Sequence, residues 1–137
     1  MAVYLANTGV LTVNSVDLSS LVTNVTINHS FDEIEVTALG DAGHRFVKGL
    51  EASSISIDFI NDAATAKTLQ TLNSSAVWGN NVTVTFKQTS AAVSAENPLY
   101  TMTCLINNTT PVSGDVASLS MQSVTWAVSG TIAITTA

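Results

Sequence analysis

Ser54-Ile55-Ser56-Ile57-Asp58-Phe59 decides the fold class. Apolar Ile55, Ile57 and Phe59 alternate with polar Ser56 and Asp58, a period of two. Successive side chains of a strand point to opposite faces, so this spacing gathers the apolar set on one side. A helix would scatter the same residues around its axis. The same alternation recurs outward in both directions. It appears at Val25 and Ile27, at Ile34, Val36 and Ala38, and at Val82, Val84 and Phe86. It appears again at Met102, Cys104 and Ile106, at Val124, Trp126 and Val128, and at Ile132 and Ile134. β-Branched residues dominate these runs, as half-buried strands require.

One stretch departs from this period. Asn61-Asp62 offers an N-cap, and Ala63, Ala66, Leu69 and Leu72 fall on one helical stripe, which predicts a helix from about Asp62 to Leu72. A single helical turn near Asp17 to Leu21, capped by Asp17, is also expected. The segments Gly40–Gly49, Ala91–Pro98 and Pro111–Asp115 read as loops from their glycine and proline content. The 137 residues fit one domain, 1–137, with no linker or tandem repeat. The expected architecture is mainly β, a β-sandwich or flattened barrel of about seven to nine strands with one flanking α-helix.

Composition narrows the function. Charged residues make up 10% of the chain, against about 25% in ordinary soluble proteins. The polar surface is therefore Ser, Thr and Asn, which suits faces covered by neighbouring subunits. Net charge is −6, which gives no electrostatic grip on nucleic acid but suits a surface past which phosphate slides. No run approaches the ~20 apolar residues of a membrane span, and the first residues lack the pattern of a signal peptide.

Chemistry-bearing constellations are few. Cys104 is single and sits in an alternating apolar run, so it reads as a core thiol. His29 and His44 lack metal-ligand spacing and no second cysteine completes a zinc site, so neither metal nor cofactor is expected. Asp32, Glu33 and Glu35 are the densest acids, with Glu33 and Glu35 on one strand face. Paired carboxylates serve acid–base chemistry or hold a hard cation. Here no partner base, no aromatic platform and no calcium-loop pattern accompanies them, so a solvated or interface-facing acidic strand is the better reading. Asp41 and Arg45 flank Gly43 and His44, and pair with one another or across a subunit boundary. A glycine-containing loop with both charge signs is a docking element. No Gly-x-Ser-x-Gly elbow is present, and the glycines of Gly40–Gly49 do not form a phosphate-binding fingerprint between strand and helix. No enzyme activity is expected. Trp126 is expected in the core, and Trp78 over the helix end or at an interface.

The order of these pieces resembles the tail tube (major tail) proteins of tailed phages that infect actinobacteria. The resemblance rests on Asp17-Leu18-Ser19-Ser20-Leu21-Val22 before Val25-Thr26-Ile27, and on the block Phe31-Asp32-Glu33-Ile34-Glu35-Val36-Thr37-Ala38-Leu39-Gly40-Asp41. It continues through Lys48-Gly49-Leu50, Val82 to Lys87, Asn97-Pro98-Leu99-Tyr100 and Ser123-Val124-Thr125-Trp126, and covers about Asp17 to Thr131. It implies a virion protein made in the bacterial host cytoplasm and assembled with itself as hexameric rings. Those rings stack into a tube through which double-stranded DNA leaves the head. It implies contacts with other phage tail or head proteins, and none with a membrane. The loop holding Gly40, Asp41, Gly43, His44, Arg45, Lys48 and Gly49 is expected to reach a neighbouring ring. Asp32, Glu33 and Glu35 are expected at the lumen or an interface. A capsid decoration, head–tail connector or minor tail protein is the alternative.

Overall fold

The computed structural model describes residues 8–137. Val10–Val13 (β1) and Val16–Asp17 (β2) form the first hairpin. Asn14 and Ser15 both take positive φ at its turn, the backbone that matches the twist of a two-residue hairpin. A 3₁₀ turn at Ser19–Leu21 follows; Leu18 rather than Asp17 is its N-cap residue, and Asp17 accepts the Ser19 N–H at 2.9 Å from one residue further back. The Ser19 bonds hold the Asp17 carboxyl below its usual range.

The remaining strands are Val22–Asn28 (β3), Phe31–Glu35 (β4), Phe46–Glu51 (β5), Ser54–Ile60 (β6), Asn81–Lys87 (β7), Leu99–Leu105 (β8), Met121–Ala127 (β9) and Ala133–Thr135 (β10). One five-stranded sheet has the order β10-β8-β7-β1-β2, a three-stranded sheet has β3-β6-β9, and β4 pairs with β5 alone. All pairings between these strands are antiparallel. The expected β-sandwich with one helix is therefore present.

The alternating residues form its core. Ile55, Ile57, Phe59, Val124 and Trp126 face inward from one sheet, and Leu11, Val13, Val84, Met102 and Cys104 from the other. Phe59 and Trp126 pack with ring centroids 6.2 Å apart, and the buried indole N–H donates to Asn108 O at 3.1 Å. Burial pushes the Cys104 thiol up to about 12, which makes it an inert core group.

The two sheets join on one side. Cys104 bridges to Val128, and the chain after β8 runs along β9, with Asn108 Nδ2 donating to Thr125 O at 3.0 Å and Thr110 N–H to Gln122 Oε1 at 2.8 Å. On the other side the sheets part. Among the described residues nothing pairs with the far edge of β3, and a cleft of about 180 Å³ opens there between Leu11, Ser19, Val22, Val25 and Phe86.

The helix is shorter than predicted. Only Thr68–Leu72 (α1) is helical. The Asp62 carboxylate accepts the Ala64 N–H at 2.9 Å in a local turn, and Ala66 takes φ +59, which a continuing helix excludes. The buried side is then Thr68, Thr71 and Leu72, while Ala63 and Ala66 stay exposed.

Candidate functional site

The predicted loop Gly40–Gly49 is not a loop throughout. Its second half lies in β5, and the true connection is Val36 to Arg45. Alternation was hidden there because Lys48 and Gly49 interrupt the apolar residues of that strand.

β3 and β4 are one limb of a single hairpin, and β5 and β6 are the other. Asn24 lies opposite Asp58, Asn28 opposite Ser54 and Phe31 opposite Glu51, one unbroken register across the bend at His29-Ser30. Ala52 N–H to Ser30 O, at 2.8 Å, carries the ladder through that bend. The register then shifts once, at a bulge on β5, so that Glu33 faces Lys48 and Glu35 faces Phe46. Val36 N–H to Arg45 O, at 2.8 Å, extends the ladder toward the tip. The base of the hairpin belongs to the core sheet. Its distal part, Phe31 to Glu51, projects as an arm.

Gly49 sits at the bulge for a steric reason. A Cβ there would lie 2.8 Å from Asp32 O, inside van der Waals contact, so no larger residue allows this close approach. Gly40 and Gly43 at the tip meet nothing within 4 Å and have no such role.

The tip is held by its own side chains. Asp41 accepts from Ala38 N–H at 2.7 Å and from Arg45 Nε at 2.8 Å. The pair proposed from sequence therefore forms within the chain. Glu35 bonds His44 Nδ1 and accepts from Thr37 Oγ1, both at 2.8 Å. The His44 bond, with the Thr37 bond behind it, holds the Glu35 carboxyl below its usual range. Lys48 Nζ lies 5.4 Å from the Phe31 ring centroid, a cation–π contact.

Pairing also sorts the acids. Glu33 and Glu35 share one face with Phe31, Phe46 and Lys48, and that face continues the core side of the sandwich. Asp32 lies on the opposite face with Ile34 and Val47, which continues the outer side of the three-stranded sheet. That outer side carries Asn24, Thr26, Asn28, Ser54, Ser56, Ser123 and Thr125, with Asp58 as its one charged group and Ile60, Met121 and Ala127 as its apolar members.

The arm is anchored where it leaves the body. Glu51 accepts from Ile132 N–H and from Ser53 Oγ, both at 2.8 Å, and pairs with His29 Nε2 at 3.2 Å. Burial pushes its carboxyl up, but these hydrogen bonds together outweigh burial and hold it below its usual range. Sequence reading missed Glu51, since its partner Ile132 is 81 residues away in the chain.

The arm exposes Phe31, Ile34, Val36, Leu39, Phe46, Val47 and Leu50. These are seven of the thirteen exposed large hydrophobics among the described residues, and Leu39 is fully exposed at the tip. Large apolar side chains left in water on both faces of one projecting hairpin mark an interaction site. Among the described residues no group of three His, Cys, Asp or Glu could hold a metal ion. No helix among them is long and apolar enough to cross a membrane.

No protein-family model matches this chain, and no curated protein matches it.

Proposed function

We propose that this chain is a structural subunit of a phage tail tube, which assembles with copies of itself into rings, hexameric as the resemblance implies, that stack around a channel for DNA. The observation that carries the proposal is the arm. An ordered hairpin with seven exposed large hydrophobics is a docking limb, and its ladder fixes the direction in which it reaches. The resemblance from sequence supplies the identity of the assembly.

Two further features support the reading. The outer face of β3-β6-β9 is mostly hydroxyl and amide, with one acid and no base, so a polyanion would pass it without being held. Asp58, and Asp32 on the arm face that continues this side, are the lumen acids of the proposal, while Glu33 and Glu35 go with the interface. The far edge of β3 has no charge and no proline, so it lacks those guards against strand addition, and a neighbouring copy could pair there to close a ring.

Negative-stain electron microscopy of the purified protein at rising concentration tests the proposal. Stacked rings or hollow tubes are expected. Discrete monomers or trimers that coat only preformed heads would replace it with the decoration-protein alternative.

A further inference from the structure

The second exposed apolar cluster lies at the end of the molecule opposite the arm. β6 runs from Ser54, beside the arm, to Ile60 at the far end. β9 runs the other way, with Ala127 opposite Ser54 and Met121 opposite Ile60. The chain entering β9 therefore comes from the far end. That chain carries Val112, Val116 and Leu119, the first two almost entirely exposed.

This loop is fastened from beneath by buried polar groups. Gln122, 3% exposed, donates from Nε2 to Asn61 Oδ1 at 2.8 Å and accepts the Thr110 N–H at 2.8 Å. Asn61 Nδ2 donates to Ser120 Oγ at 3.0 Å, and Asn61 N–H to Ser120 O at 2.9 Å. Both ends of the loop are thus tied to one satisfied network, which orders a surface segment that buries no large side chain of its own. Its only charged residue is Asp115.

Two different apolar patches, at opposite ends of one sheet and along the direction of its strands, are the requirement for a head-to-tail contact. We infer that the loop from Thr110 to Ser120 is the receptor for the arm of a second copy of this chain. The contact is heterologous and runs parallel to the strands of β3-β6-β9, and repetition along that direction stacks copies in an open series. This rests on the reading that the chain assembles with itself, and adds where the arm lands.

Complementary variants test it. Leu39→Asp with Leu50→Asp removes the arm surface, and Val112→Asp with Val116→Asp removes the receptor. All four positions are highly exposed, so both variants should fold. By analytical ultracentrifugation neither variant alone should extend along the axis. Mixed in equal amounts, they should form a species of twice the mass each forms alone, because one intact arm then meets one intact receptor. A receptor variant that assembles like the unaltered protein, while the arm variant fails, overturns the receptor assignment and leaves the assembly reading standing. Failure of both variants with no doubling in the mixture also overturns it, since the two surfaces then serve different partners. An unaltered protein that stays monomeric at every concentration overturns both readings.

Discussion

The arm and the sandwich body use the same strand chemistry to opposite ends. In the body, alternation places Ile55, Ile57 and Phe59 in a fully buried layer. In the arm, alternation continues through Ile34 and Val36 without anything to cover them. The arm also holds five of the ten acids and two of the four bases, although it spans only Phe31 to Glu51. Periodicity therefore reports that a segment is a strand, while charge density reports whether it is covered. Where both apolar and charged residues are dense, the strand has left the core.

The sharpest way to break this comparison is one truncation in each region. Trp126→Ala should lower stability by ~3–5 kcal/mol, the range for large aromatic truncations in cores. Phe46→Ser on the arm should change it by less than about 0.5 kcal/mol, yet weaken self-association. Urea unfolding followed by circular dichroism reads both. Equal losses would mean that the arm is part of the cooperative core.

A smaller effect is expected at the bulge. Gly49→Ala must displace β4 from β5, at a cost of ~1–3 kcal/mol by analogy with overpacked sites. That cost should fall on the arm, so amides of β4 should exchange faster with solvent while those of β6 keep their protection. Uniformly faster exchange would merge the two regions.

The smallest effect concerns the anchor. The folded Glu51 carboxyl titrates below its ordinary value of 4.5. The contribution of such a group is complete above the unfolded pKa and is lost as pH falls through the folded one. Glu51→Gln should therefore be less stable than the unaltered protein at neutral pH, with the gap narrowing below about pH 4. Thermal melts across that range read it. A gap that widens on acidification would show that Glu51 is not the ionised anchor described here.

Much of the fold was legible in the sequence because burial on one face leaves period two behind. Cys104 and Trp126 in the core, and Glu33 with Glu35 on one face, were readable for that reason. The shortened helix was not, because Asp62 can cap a helix or form a local turn, and only the backbone at Ala66 decides. β5 was hidden by Lys48 and by Gly49, a glycine needed for close approach rather than for a turn. Long-range partners such as Glu51 with Ile132, or Gln122 with Asn61, leave no mark in local spacing. The exposed Val112, Val116 and Leu119 had a signal, three apolar residues in a segment marked as loop by Pro111 and Gly114, but nothing in the sequence placed them opposite the arm.

The unbroken register between arm and core has a mechanical consequence. β-Ladder hydrogen bonds lie perpendicular to their strands. Tension applied at the arm tip along the hairpin draws β3 and β6 the same way, so the load passes in shear to the bonds between β6 and β9. Pulling the limbs apart sideways would instead open the bonds between the limbs one at a time, from the tip inward. A filament joined through such arms resists stretching along its axis far better than peeling, and its weakest direction is across it.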